Sequence, residues 1–155
     1  LNGNKMIKLR DILKEIGEGV TPYKWGIDRE SEFEVQYGFD TDSNIEYQVN
    51  FESFAEGDTW DVSFAAREDR TTKFSTNVIT NKGEVYKVMS TVFDIIKDFV
   101  EEHKEVFQLK FNAAQTGDDA STKSKRNKLY MAYLKNHMPK AKIYSGEQDD
   151  VIIQL

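Results

Sequence analysis

Three neighbouring stretches of the sequence alternate apolar with polar residues, which is the pattern of β-strands that bury one face and expose the other. The stretches are SEFEVQYGF (31–39), IEYQVNF (45–51) and TWDVSF (59–64), and the turn sequences TDSN (41–44) and EGD (56–58) separate them. Strands joined by such short connections pair as an antiparallel meander. The sequence therefore predicts a three-stranded meander with one apolar and one polar face, followed by a less regular strand over 73–80.

The spacing of apolar residues changes to that of an amphipathic helix in the next segment. Over five turns the apolar positions are Val85, Val88, Met89, Val92, Ile95, Ile96 and Phe99. Asn81 and Glu84 stand three residues apart before this run, as in the capping box at the start of a helix. We predict a long amphipathic helix from about 83 to 103 that packs across one face of the sheet.

Shorter elements are predicted on either side of the meander and the long helix. Apolar residues at helical spacing indicate a short helix over 6–16, whereas Pro22 and Gly26 mark 20–31 as a connector. After the long helix we predict a strand over 106–114, a basic helix from about 123 to 138 that Pro139 ends, a short strand at 142–144 and a final strand at 151–155.

The predicted fold is a single α+β domain that spans 1–155. It has a mainly antiparallel sheet of five to seven strands, one long amphipathic helix, one basic helix and a short N-terminal helix. The length of 155 residues is close to that of the commonest domains. Residues 1–5 precede Met6, and we expect them to be non-native or a processed leader.

Composition excludes several classes of protein. The chain contains no Cys, so disulfide frameworks, thiolate catalysis and Cys-based zinc sites are ruled out. No apolar run reaches the ~18 residues that a membrane helix needs, and 1–16 lacks the pattern of a secretory signal. His103 and His137 have no neighbouring ligand pattern, and the carboxylates of the meander have the spacing of a solvated sheet face. No metal site and no membrane contact are therefore predicted.

Charge is strongly segregated along the chain, although the net charge is only −6. Residues 21–69 carry thirteen acidic and three basic side chains, a net of −10. Residues 120–142 carry seven basic side chains and no acidic one. Such separated charges indicate either pairing inside the molecule or two surfaces with different partners.

The basic segment places hydroxyl and cationic groups at the start of the second predicted helix. The candidate anion- or partner-binding residues are Ser121, Lys123, Ser124, Lys125, Arg126 and Lys128. Backbone N–H groups at a helix N-terminus attract anions, and these side chains would complete a site for a phosphate, a nucleotide or an acidic protein partner. The alternative is that Asp118 and Asp119, or the acidic strands, neutralise the helix internally. A nucleic-acid partner is disfavoured because the pI is about 5.0 and the acidic segment would repel a polyanion.

The order of the predicted elements resembles the layout of the GCN5-related N-acetyltransferases: a sheet, a long helix, a strand, a second helix and a strand. The segment KFNAAQTGDDASTKSKRNKLYMAYLKNHMP (110–139) looks like the strand, loop and helix of that family, in which an Asn precedes a helix with a Leu-Tyr pair. The resemblance covers about 45–139. It implies that Tyr130 is the general acid that protonates the leaving thiolate, and that Asn112 or Asn127 contacts substrate or cofactor.

The same resemblance implies a cofactor loop before the long helix. The corresponding segment is TNKGEV (80–85), which would place Asn81, Lys82 and Gly83 against acetyl-CoA. Gly83 matches the pattern of the family, whereas Thr80 and Val85 differ from it. The loop is therefore a degenerate version of the one that the family uses.

A second resemblance is to small uncharacterised proteins of tailed bacteriophages. It rests on MIKLRDILKEI (6–16), on TNKGEVYKVMSTVFDIIKDF (80–99) and on the R-x-x-LY sequence of the basic helix (126–130). This resemblance spans most of the chain and implies a viral setting without a settled activity.

Three hypotheses on function follow from these patterns. The first is a non-catalytic, phage-type binding module that sets its basic helix against an acidic or phosphorylated partner and needs no cofactor. The second is an acyl-CoA-dependent N-acyltransferase, active or inactive, with acetyl-CoA as its cofactor. The third is a structural component of a virion. We expect the protein in the cytoplasm, which is that of the host cell if the protein is viral, or in the virion.

Overall fold

The computed structural model describes residues 20–53, 59–74, 84–111, 120–146 and 150–155, with the side chains of 85, 120–126 and 129 left out. Four predictions fall on the parts not described. They are the leader 1–5, the short helix over 6–16, the turn at 56–58, and the strand over 73–80 beyond its first two residues, which belong to no strand. Asn81 of the predicted capping box also lies outside the described residues.

Seven strands and two helices make up the described structure. In chain order they are β1 (Trp25–Glu30), β2 (Glu34–Asp40), β3 (Glu46–Glu52), β4 (Thr59–Arg67), α1 (Val85–Glu102), β5 (Gln108–Phe111), α2 (Ala120–His137), β6 (Lys142–Ser145) and β7 (Val151–Gln154). The strands form one mixed sheet in the order β1-β2-β3-β4-β5-β7-β6. Of the strand pairs described, only β4 and β5 run parallel. The structure agrees with the predicted α+β class, the mainly antiparallel sheet, the long helix and the basic helix.

Strand β1 corrects the prediction of a connector over 20–31. It pairs antiparallel with β2 and forms one edge of the sheet. Five of its six residues are exposed. Because neither face of this strand is buried, it lacks the alternation of apolar and polar residues by which a half-buried strand is recognised.

The start of α1 differs from the predicted capping box. The N-cap residue is Glu84, and its side chain makes no capping hydrogen bond. The Glu84 carboxylate instead accepts hydrogen bonds from the backbone N–H and the hydroxyl of Ser43, in the turn between β2 and β3. Glu84 therefore ties the start of the helix to the meander.

Helix α1 packs on the apolar face of the meander. The ring of Phe99 stacks on Phe51 of β3 with 4.0 Å between the ring centroids, and its centroid is 5.3 Å from that of Trp60 on β4. Phe51 and Phe99 are both fully buried. The preceding residue, Asp98, accepts a 3.0 Å hydrogen bond from the Tyr37 hydroxyl of β2. Since aromatic side chains bury the largest apolar areas, these contacts hold the helix on the sheet.

Helix α2 lies on the same face of the sheet as α1. Tyr133 stacks on Phe93 of α1 at 4.2 Å, and Tyr130 lies 5.2 Å from Phe111 of β5. Phe111 pairs with Val62 of β4, which pairs in turn with Phe51 of β3. Because directly paired residues share a face of the sheet, Phe111 and Phe51 lie on the same face. Neither of these helices is long and apolar enough to cross a membrane.

The opposite face of the sheet carries the carboxylates of the meander. Glu34, Glu52 and Asp61 are directly paired across β2, β3 and β4. Glu46, on the same face, forms a 2.9 Å ion pair with Arg67. Helix α2 packs on the other face, and its described cations Lys128 and Lys135 form no ion pair with these carboxylates. The side chains of Lys123, Lys125 and Arg126, and the residues Asp118 and Asp119, are not described.

We expect Phe99→Ala to lower the free energy of unfolding by about 3–5 kcal/mol, because it opens a cavity beneath α1. Urea denaturation measures this loss. Phe107→Ala is the matched control, since Phe107 is 52% exposed and its removal should change stability by less than about 0.5 kcal/mol. Equal effects of the two substitutions would contradict the packing described.

Candidate functional site

Strands β4 and β5 pair in parallel over four described residues. The ladder runs from Thr59↔Gln108 to Val62↔Phe111, while β4 continues to Arg67 along β3. Residues 112–119, which follow Phe111, lie outside the described part of the chain. The region of Val62, Phe64 and Phe111 at the end of this described ladder is here named the fork.

Four aromatic rings fill the fork on the side of the helices. Phe64 of β4 stacks on Phe111 at 5.6 Å, and Tyr130 of α2 meets these two rings edge-on at 6.4 and 5.2 Å. Phe93 of α1 lies 5.9 Å from Tyr130. Phe93 and Phe111 are buried, whereas Phe64 and Tyr130 are half-buried. Tyr130, predicted from the resemblance as a general acid, thus lies at the end of the parallel ladder.

Asn127 joins Tyr130 on the side of α2 that faces the sheet. The two residues are three positions apart, which places them on the same face of a helix. Asn127 is only 5% exposed. The structure therefore brings these two predicted residues together at one interface between helix and sheet.

The other predicted site residues are described only in part. Asn81, Lys82, Gly83 and Asn112 lie outside the described residues. Ser121, Lys123, Ser124, Lys125 and Arg126 belong to the first turns of α2, with their side chains not described. Lys128, on the following turn, is exposed. These residues thus lie in the first turns of a helix, and the anion site itself stays a prediction.

A second polar site, a cleft of about 180 Å³ between α1 and α2, was not predicted from the sequence. It is lined by Pro22, Ser90, Phe93, Asp94, Lys97, Tyr133, Leu134, His137 and Met138. Ser90, Asp94 and Lys97 recur every three or four residues on α1, and Tyr133 and His137 do so on α2. Residues at this spacing share a face of a helix. The sequence thus shows one polar stripe on each helix, whereas only the tertiary structure shows that the two stripes face each other.

Two titratable groups of this cleft have shifted pKa values. Burial raises the pKa of Tyr133 to about 12; the Ser90 hydroxyl opposes this shift and the Asp94 carboxylate adds to it. Burial, and then the charge of Lys97, lower the pKa of His137. The His137 ring also stacks on Tyr133 at 4.2 Å. At neutral pH the cleft therefore presents a neutral phenol and a neutral imidazole beside Asp94 and Lys97.

The fold and these two sites define a small α+β protein with one mixed sheet, whose described strands include one parallel pair. The model of a family of unknown function, DUF6934, matches residues 22–146, and the chain therefore belongs to this family. No curated protein and no solved structure matches the chain. Within the residues described, no group of three or more His, Asp or Glu side chains could hold a metal ion. The family assigns no activity, so the function has to be argued from the sites.

We expect His137 to make the folded state less stable in acid. Its pKa in the folded protein is below the ordinary value of 6.5, so the unfolded chain binds the proton more readily and stability falls as the pH drops through that value. In urea denaturations between about pH 7.5 and about pH 5, the His137→Gln variant should lose less stability than the wild type. Identical losses in the two proteins would show that His137 does not contribute.

Proposed function

We propose that the chain binds an acyl-CoA at the fork between β4 and β5 and transfers its acyl group to an amine, as the GCN5-related N-acetyltransferases do. The observation that carries this proposal is the packing of Tyr130 against Phe64 and Phe111, beside the last described pair of the parallel ladder. The resemblance in element order led to the same residue, Tyr130, from the sequence.

The position of α1 supports a phosphate-bearing ligand at this end of the sheet. β4 ends at Arg67, which is paired with Glu46 at the start of β3. The turn that leads into β3 contains Ser43, which donates hydrogen bonds to Glu84 at the start of α1. The N-terminus of α1 therefore lies at the end of the sheet where β4 ends. A helix N-terminus attracts phosphate groups, so the pyrophosphate of coenzyme A would be held there.

The chemistry needs a proton donor beside the thioester. The amine nitrogen attacks the thioester carbonyl, the C–N bond forms, the C–S bond breaks, and the amine releases a proton. The thiolate that leaves must be protonated, and in our proposal the Tyr130 hydroxyl donates that proton and is reprotonated from solvent. Contacts with Phe64, Phe93 and Phe111 support this role because they fix the position of the Tyr130 ring.

Binding of acetyl-CoA should raise the Tm of the protein. A ligand of the native state stabilises by RT ln(1 + [L]/Kd), which is about 2.7 kcal/mol at a concentration of about 100 times Kd. Differential scanning fluorimetry with acetyl-CoA, and with desphospho-acetyl-CoA for comparison, measures the shift. An unchanged Tm at millimolar acetyl-CoA would exclude the proposal.

Replacing Tyr130 with Phe should leave acetyl-CoA binding intact and lower the rate of acetyl transfer by about 10²–10⁴-fold, the usual contribution of a general acid. The ring and its aromatic contacts stay, so only the proton donor is lost. Release of free coenzyme A in the presence of a panel of amines measures the rate. Tyr144→Phe is the control, because the Tyr144 hydroxyl accepts a 2.9 Å hydrogen bond from Gln154 on β7, away from the fork. Equal rates for both variants would contradict the role of Tyr130.

We also propose that the solvent side of α2 binds an acidic or phosphorylated protein partner. Lys128 and Lys135 on α2 and Lys140 just beyond it are exposed. No carboxylate in the described part of the chain forms an ion pair with them. Because the carboxylates of the meander occupy the opposite face of the sheet, the cationic surface is available to a partner.

Removing Lys123, Lys125 and Arg126 together by substitution with Ala should abolish binding of a labelled peptide rich in phosphoserine and glutamate. Fluorescence anisotropy at increasing salt measures the affinity, which should fall with salt because exposed charges are screened. The matched control replaces Lys24, Lys73 and Lys104, which are exposed elsewhere and carry the same total charge. Binding that is insensitive to salt, or lost equally in both triple variants, would argue against a site on α2.

A further inference from the structure

We propose that the cleft between α1 and α2 binds a small zwitterion, namely an α-amino acid with an apolar side chain. This site is separate from the fork and from the cationic surface of α2, and it does not depend on either proposed function. Convergent polar groups above an apolar floor are what distinguish a ligand site from an ordinary surface depression, and the cleft has both.

The two charges of the cleft are available to a ligand. Asp94 and Lys97 are three residues apart on α1, both line the cleft and both are exposed. They form no ion pair with each other or with another residue that the structure describes. The indole N–H of Trp25 donates a 2.9 Å hydrogen bond to one oxygen of Asp94, which fixes the carboxylate in position.

Both charges act on side chains of the cleft, since Lys97 lowers the pKa of His137 and Asp94 raises that of Tyr133. A ligand with a carboxylate near Lys97 and an ammonium group near Asp94 would satisfy both charges. A simple anion would be attracted by Lys97 and repelled by Asp94. A simple cation would be attracted by Asp94 and repelled by Lys97. The pair of opposite charges therefore favours a zwitterion over either single ion.

The floor of the cleft is suited to an apolar side chain. Phe93 and Leu134 are buried, and Pro22 and Met138 are half-buried around them. The volume of about 180 Å³ is many times what a single water molecule needs and leaves room for an amino acid. Burial of the ligand's side chain against these residues would add to the two charge contacts.

The test compares L-leucine with two analogues that each lack one charge. 4-Methylpentanoate lacks the ammonium group, and 3-methylbutylamine lacks the carboxylate. The NMR signals of the His137 ring protons and the fluorescence of Trp25 report on the two ends of the cleft during each titration. We expect saturable shifts with leucine in the millimolar range and binding at least about tenfold weaker for either analogue. No shift with leucine, or equal affinity for an analogue, would overturn the proposal.

Substitutions in the cleft provide an independent measurement. Lys97→Gln and Asp94→Asn remove one charge each while keeping a polar side chain, and Asn can still accept the hydrogen bond from Trp25. Each should weaken leucine binding by about tenfold. Glu101→Gln and Lys104→Gln remove the same charges from exposed positions outside the cleft and should leave the affinity unchanged. Equal effects at the two pairs of positions would show that the charges of the cleft do not hold the ligand.

Discussion

The packing of α1 on the meander is the contact on which the rest of the structure depends. Phe99 stacks on Phe51 at 4.0 Å, and Trp60 of β4 closes the same contact. In the chain, α1 follows β4 and runs back along the sheet in the opposite direction. The next strand, β5, therefore starts at the same end of the sheet as β4. β5 must then run parallel to β4. The parallel pair, and with it the location of the proposed acyl-CoA site, is a consequence of that packing.

The same packing separates the charges of the molecule. Both helices lie on the apolar face of the sheet, so the carboxylates of β2, β3 and β4 are left on the other face. The acidic sheet face and the described cations of α2 therefore lie on opposite sides of the sheet. The packing of α1 beside α2 also creates the cleft at Asp94 and Lys97. Neither helix forms this cleft alone.

Local patterns in the sequence account for much of the fold. Alternation located β2, β3 and β4, and helical spacing located α1 to within two residues at its start and one at its end. β1 was missed because an exposed edge strand has no alternation, and the cap was misassigned because the Glu84 side chain bonds to a turn 41 residues away. For the sites, resemblance pointed to Asn127 and Tyr130, which the structure brings to one interface. Asp94, Lys97 and Tyr133 were not recognised as site residues, because the cleft that they line forms only where α1 and α2 pack together.

The sequence by itself determined the strands of the meander and both described helices, though not β1, and which of their faces is apolar, because periods of 2 and 3.6 residues are local properties of the chain. Only the tertiary structure decided which strands are neighbours, that β4 and β5 are parallel, and that β7 lies between β5 and β6. It also decided that both helices cover the same face. These choices depend on packing and hydrogen bonds between segments far apart in the chain. The fork, the cationic surface and the cleft all arise at that level.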